Sequence, residues 1–154
     1  MKKYLSILLC FYSLFLEAQK LSGKVIGIKD GDTIEVLIAG KPVKIRLFGI
    51  DCPEKKQAFG TKAKDFTSNL AFGLTVNIES KGTDKYRRIL GIVTLPDGRI
   101  LNHEIIKAGF AWRYKYNKNN LLLLLEAQAR NKRLGLWAEP NPIPPWEYRH
   151  PKKA

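Results

Sequence analysis

Apolar and polar residues repeat along this chain with two different periods, and the change from one to the other outlines a fold. Leu21–Ile28 reads as a strand, Lys29-Asp30-Gly31-Asp32 as a turn, and Thr33–Ile38 as a second strand. Gly40-Lys41 then turns the chain into a third strand, Val43–Phe48. A two-residue turn centred there pairs Ile34 with Leu47, Val36 with Ile45 and Ile38 with Val43, which puts three apolar pairs on one face of a half-buried hairpin. The same register sets Glu35 opposite Arg46 and Thr33 opposite Phe48. Over Ala58–Phe72 the period lengthens: Phe59, Ala63, Phe66 and Leu70 form one helical stripe, and Gly73 is a C-terminal stop. Leu74–Glu79 and Ile89–Leu95 are two further strands joined by the polar loop Ser80–Arg88, and Pro96-Asp97-Gly98 is a turn. Leu101–Ala108 and Leu121–Leu134 read as helices that end at Gly109 and Gly135. Five consecutive leucines, 121 to 125, exceed what a single helical stripe can bury. No internal repeat is present. The pattern predicts a mainly β, α+β fold: a five-stranded OB-type barrel, one helix between its third and fourth strands, and two C-terminal helices. Five of the eight prolines lie from Glu139 onward, so residues 139–154 read as a short extended tail.

The first segment stands apart from this pattern. Met1-Lys2-Lys3 is basic, Tyr4–Leu16 is apolar apart from Ser6 and Ser13, and Glu17-Ala18-Gln19 offers a small residue for cleavage after Ala18. Residues 1–18 therefore read as a secretory signal peptide, which predicts a secreted protein, periplasmic or extracellular. The apolar stretch falls short of the roughly 20 residues that a membrane-spanning helix needs, so no stable membrane insertion is expected after cleavage. Residues 19–138 are the expected domain, within the size range of a single one.

Composition narrows the class. At 45% hydrophobic and 27% charged the chain can bury a core, which excludes a disordered basic tail. The formal net charge is +13; removing residues 1–18 takes away one net positive charge, so the basicity belongs to the folded part. Such an excess calls for an anionic partner, either a polyphosphate backbone or an acidic surface. Cys10 leaves with the signal and Cys52 remains alone, so the exported chain has no intrachain disulfide and packing must hold the fold. With His103 and His150 far apart, the ligand spacing of a zinc site is absent.

The acidic residues carry the more specific message. Asp30, Asp32, Glu35, Asp51 and Glu54 place five of the 14 carboxylates within 25 residues, and the hairpin register brings their two turns to one end, beside Arg46. Carboxylates clustered on a basic protein repel phosphate unless a hard cation screens them, and oxygen-rich sites select calcium or magnesium. Asp84-Lys85-Tyr86-Arg87-Arg88 adds a second basic element, and arginine forks bind phosphate oxygens in pairs while keeping their charge. Singly, each feature has a plain reading: Asp-Gly-Asp as a tight turn, Arg46 with Glu35 as a surface ion pair, Lys85–Arg88 as a solvated loop. Their joint order and spacing do not.

Ile28-Lys29-Asp30-Gly31-Asp32-Thr33, Arg46-Leu47-Phe48-Gly49-Ile50-Asp51-Cys52-Pro53-Glu54 and Thr83-Asp84-Lys85-Tyr86-Arg87-Arg88 resemble the three signature blocks of the staphylococcal nuclease (thermonuclease) family, over roughly Val25–Trp137. The resemblance implies an OB-fold and calcium-dependent hydrolysis of DNA and RNA phosphodiesters, leaving 3′-phosphate and 5′-hydroxyl ends. It implies Ca2+ held by Asp32, Asp51 and the main chain of Cys52, which stands where the family often has Thr. Arg46, Glu54 and Arg88 resemble the catalytic trio. Lys85, Tyr86, Tyr114 and Tyr116 resemble substrate-binding groups, the last two an aromatic wall around the terminal nucleotide. Two departures stand out: Arg87 where the family often has Gly, and a short loop between Glu54 and the first helix.

The roles hold as chemistry. Calcium on Asp32 and Asp51 would polarise a phosphoryl oxygen, Arg46 and Arg88 would stabilise the charge of the transition state, and Glu54 would act as general base on the attacking water. A monomer acting on nucleic acid, single strands preferred, is the expectation. The rival is a catalytically silent OB-type module that binds nucleic acid through basic and aromatic groups alone. Retention of all three catalytic-type residues with both aspartates favours the enzyme. A basic protein docking on acidic membrane or cell-surface polymers would not need carboxylates at the hairpin end.

Overall fold

The structure, a computed structural model, describes residues 20–151. The signal-peptide reading of residues 1–18, with Cys10, lies outside the described residues.

Three strands come first: β1 (Lys20–Asp30), β2 (Thr33–Ile38) and β3 (Lys41–Leu47). A two-residue strand β4 (Ile50–Asp51) and helix α1 (Gly60–Ala71) precede β5 (Thr75–Thr83) and β6 (Ile89–Thr94). The five long strands close a barrel in the order β1-β2-β3-β6-β5, with β5 returning to β1. The β3–β6 pairing is parallel and the other barrel pairings are antiparallel. Closure leaves no unpaired barrel edge to protect. The expected five-stranded OB-type barrel, with its helix between the third and fourth barrel strands, is the architecture found. Helix α2 (Leu101–Lys107), strand β7 (Trp112–Arg113), helix α3 (Asn120–Asn131), a 3-10 turn (Gly135–Ala138) and helix α4 (Pro145–Arg149) complete it.

Alternation supplies the core. Val25, Ile34, Val36, Ile45, Leu47, Ile78 and Val93 point inward and are fully buried, and Ala63, Leu101, Ile105 and Ile106 from α1 and α2 pack on the same cluster. Each large aliphatic side chain buried in this way contributes roughly 1.5–3 kcal/mol relative to exposure. A second cluster, Trp112, Ala129, Leu136 and Trp137 with Phe59 and Trp146 against it, lies under the C-terminal elements.

The structure corrects several details expected from the sequence. The β2–β3 hairpin turns at Ala39-Gly40, both with positive φ (48° and 76°), one residue before the expected centre. Two left-handed residues make the turn whose twist suits a two-residue hairpin. Ile34 therefore pairs with Ile45 and Thr33 with Arg46. A two-residue shift of partner keeps every side chain on its face, so the core assignment survives. Glu35 lies opposite Lys44 and pairs instead with Lys29 at 3.0 Å, leaving Arg46 free for other partners. On α1 the buried stripe is Gly60, Ala63, Thr67 and Ala71, with Phe66 and Leu70 on its flank. Strand β5 runs on to Thr83, so the loop after it is shorter than expected. Of the five leucines Leu122 is buried, while Leu121, Leu123 and Leu124 are exposed. The segment from Glu139, expected to be an extended tail, contains helix α4 and folds back on the domain.

Candidate active site

The Asp30-Gly31-Asp32 turn is pressed against α1. Thr67 Oγ1 donates to the Gly31 carbonyl at 2.6 Å, and a Cβ on Gly31 would lie 2.8 Å from the Ala63 Cβ and 3.0 Å from the Cys52 thiol. Held this way, Asp32 accepts the Cys52 amide at 2.6 Å, which joins the turn to the loop carrying Asp51 and Glu54. Strand β4 supplies Asp51 and is fixed by pairing with β7. The Tyr114 amide donates to the Gly49 carbonyl at 2.8 Å, bringing that tyrosine to the same loop.

Arg46 lies between the two aspartates. Its Nη2 is 2.9 Å from Asp51 Oδ1 and 3.2 Å from Asp32 Oδ2, and its Nη1 donates to the carbonyls of Leu47 and Ile50 at 2.7 and 2.8 Å. Burial works against the guanidinium charge, but Asp32 and Asp51 outweigh it and hold the group protonated. Asp51 is 1% exposed; burial, reinforced by the charge of Asp32, pushes its carboxyl above the ordinary value despite the opposing arginines. Burial likewise raises Asp30, and Asp32 and Glu54 add repulsion. Burial drives the Cys52 thiol well up, so this cysteine stays a neutral packing group.

Across the cleft, Asp84 closes the loop after β5. Its Oδ1 accepts the amides of Tyr86 and Arg88, and its Oδ2 accepts Arg88 Nε at 2.8 Å and lies 2.7 Å from Nη2. The remaining Nη1 of Arg88 reaches toward Thr33 Oγ1 at 3.5 Å. Arg87 takes φ +63° in this loop, a left-handed conformation that glycine adopts without strain, which accounts physically for the expected glycine there. Lys85 Nζ sits 5.0 Å from the Tyr86 ring centre, and the Tyr114 and Tyr116 rings meet edge-to-face at 5.5 Å.

One cleft of about 640 Å³ is lined by all ten residues singled out from the sequence: Asp32, Arg46, Asp51, Cys52, Glu54, Lys85, Tyr86, Arg88, Tyr114 and Tyr116. Four groups that line or support it were not singled out. Asp84 sits four residues before Arg88, a spacing the sequence does show. Thr67 gives no signal beyond its place on a helix. Gln57 ties the Glu54 amide to the Ile143 carbonyl, and Arg149 lies 2.6 Å from Glu54 Oε1 and 2.8 Å from Asp51 Oδ2. Arg149 is 95 residues from Glu54, so only the fold brings them together.

Residues 44–139 match the family of staphylococcal nuclease homologues. The chain belongs to the staphylococcal nuclease family. A protein of Escherichia coli described as an uncharacterized endonuclease is 42% identical over 153 residues, covering 99% of this chain and all of its own. A micrococcal nuclease of Shigella flexneri is 37% identical over 142 residues, 85% of this chain and 82% of its own. The staphylococcal-like nuclease CAN1 of Arabidopsis thaliana is 37% identical over 118 residues, 76% of this chain and 36% of its own. As a staphylococcal nuclease homologue the chain is a hydrolase of the nuclease class, and its substrate is nucleic acid.

Among the described residues no three His, Cys, Asp or Glu side chains converge as a ready cage. Asp32 and Asp51 nonetheless share one arginine, and burial and mutual repulsion destabilise Asp30 and Asp51 as anions. Two hard carboxylates suit a cation that completes its shell with carbonyl oxygen and water, as calcium and magnesium do, once it displaces the arginine contacts that their oxygens make here.

Proposed function

We propose that this chain is an exported, monomeric, calcium-dependent nuclease that cleaves DNA and RNA, single strands preferentially, and leaves 3′-phosphate and 5′-hydroxyl ends. The observation that carries this reading is the convergence of Arg46, Glu54 and Arg88 with Asp32 and Asp51 on one cleft rimmed by Lys85, Tyr86, Tyr114 and Tyr116.

Asp32 and Asp51, with the Cys52 main chain, would hold the cation, and calcium bound there would act as a Lewis acid on a phosphoryl oxygen. Arg46 is anchored through Nη1 on two carbonyls, which leaves Nη2 at the carboxylate edge of the cleft, where a phosphate oxygen can share it. Arg88 is steered by Asp84 and presents Nη1 from the opposite side. Two fixed guanidinium groups stabilise charge that grows as phosphorus becomes five-coordinate, without having to reorganise as it does so. Glu54, at 37% side-chain exposure, is open to water and serves as the base that orients or deprotonates the nucleophile. Tyr86 and Tyr116 are well exposed and offer faces for unpaired bases, which a duplex keeps stacked. The basic surface attracts the backbone, so binding should weaken with salt. Export rests on residues 1–18.

The test is digestion of single-stranded DNA and RNA by residues 19–154 with calcium, with magnesium and with chelator, alongside Glu54→Gln. Cleavage with calcium, none in chelator, and a loss of about a hundredfold or more in Glu54→Gln are expected. Equal cleavage in chelator, or undiminished cleavage by the variant, would sink the mechanism. Binding without cleavage under every condition would favour a silent binding module instead.

A further inference from the structure

The barrel closes without the segment that follows Glu139, yet this segment reaches the cleft at two points. The Gln57 side chain accepts the Glu54 amide at 3.1 Å and donates to the Ile143 carbonyl, which pins the start of the segment to the backbone of the Glu54 loop. Six residues further on, Arg149 Nη1 donates to Glu54 Oε1 at 2.6 Å and Nη2 to Asp51 Oδ2 at 2.8 Å. Among the described residues Arg149 is the one side-chain partner of the Glu54 carboxylate.

The mount of this arginine is stiff. Pro144 presets the entry to α4, Pro145 is buried, and Trp146 meets Trp112 edge-to-face with ring centres 6.4 Å apart. Trp112 itself lies on β7, opposite Asp51. The support for Arg149 therefore rests on β7, the strand paired with the one that carries Asp51, one of the two carboxylates it spans. A guanidinium is a rigid planar fork, so two carboxylates on its two nitrogens have a set separation, which a flexible ammonium would not impose.

We propose that residues 139–150 form a working wall of the cleft and that Arg149 is a positioning residue, holding the Glu54 carboxylate at a fixed place relative to Asp51. The proposal rests on the nuclease reading for its catalytic consequence. Without the clamp, Glu54 sits on a short loop with its side chain free to rotate, and the group that handles the nucleophile is aimed only part of the time.

The test compares the exported protein with Arg149→Gln, Arg149→Lys and Trp146→Ala. Steady-state cleavage of a single-stranded oligonucleotide at saturating calcium is measured beside hydrogen exchange over residues 51–57. In Arg149→Gln, kcat is expected to fall about 10- to 100-fold with KM within about threefold, as for other groups that orient a reacting residue. Arg149→Lys should recover part of the loss, and Trp146→Ala should fall between. The Glu54 and Gln57 amides should exchange on the order of tenfold faster in Arg149→Gln while barrel strands keep their protection. An unchanged or raised kcat would make Arg149 a plug rather than a support and overturn the proposal. A rise in KM alone would make it a substrate contact and overturn the proposal equally. If the unaltered protein cleaves nothing, the nuclease reading fails, and the exchange measurement still decides whether Arg149 holds the loop.

Discussion

Removing the Arg46 charge should unsettle the fold as well as the chemistry, and the structure allows the first effect to be sized. In Arg46→Gln, Asp32 and Asp51 lose the guanidinium that lies 3.2 and 2.9 Å away, and the Leu47 and Ile50 carbonyls lose their Nη1 donor. Deleting one partner of a buried charge pair costs about 3–5 kcal/mol, because the stranded charges are desolvated and mutually repulsive. Arg149, also on Asp51, and water entering the open cleft limit the loss, so about 4 kcal/mol is the working figure. At about 2.1 cal/mol/K per residue over about 130 ordered residues, that lowers Tm by about 15 °C. The assay is thermal unfolding at pH 7 in chelator, repeated with calcium. On the proposed reading calcium binds the same carboxylates, so it should recover a substantial part of the loss in the variant and should raise Tm less in the unaltered protein. Pairing Arg46→Gln with Asp32→Asn should cost less than the two changes summed. A Tm within about 3 °C of the unaltered protein, or strict additivity in the double variant, would refute the idea that Arg46 is the central counter-charge.

Other outcomes follow from single contacts. Asp84→Asn should loosen Arg88 and lower kcat by about tenfold or more, with substrate binding less affected; equal kinetics would show that the clamp is dispensable. Asp84 also predicts a pH effect. Its slight burial pushes the carboxyl up, but hydrogen bonds from Arg88 and Tyr86 hold it below its ordinary value of 3.8. The stability it contributes is therefore present above that value and lost as pH falls through the lower native one, so acid unfolding below pH 3.8 should be steeper in the unaltered protein than in Asp84→Asn. Gly31→Ala forces a methyl to within 2.8 Å of the Ala63 Cβ and should cost about 1–3 kcal/mol in denaturant unfolding; no loss would mean that the turn is not pressed on α1. Cys52, buried and with its thiol pushed up, should resist a disulfide reagent at pH 8 and react fully in denaturant; rapid labelling of the native protein would contradict the packing role.

Strand periodicity, helical stripes and turn residues were enough for the barrel and its inserted helix, because these depend on which residues must avoid water and at what spacing. The hairpin register differs by two from the expected one because the choice between turns at Ala39-Gly40 and at Gly40-Lys41 lies in backbone angles, and an alanine at φ +48° is not what composition suggests. Face assignment survived because strand faces repeat every two residues. The ten residues singled out by the family resemblance line one cleft, and eight of them lie in three short blocks of sequence.

What the sequence determined by itself was therefore local and periodic: the strands, the helices, the acidic turns and the basic loop that faces them. Only the tertiary structure decided which distant groups complete the cleft. Arg149 reaches Glu54 across 95 residues, Thr67 reaches the Gly31 carbonyl across 36, and Gln57 reaches Ile143 across 86. None of these contacts has a period or a motif. They arise because a closed barrel brings its strand ends to one rim, and a segment rich in proline is stiff enough to lay an arginine against it.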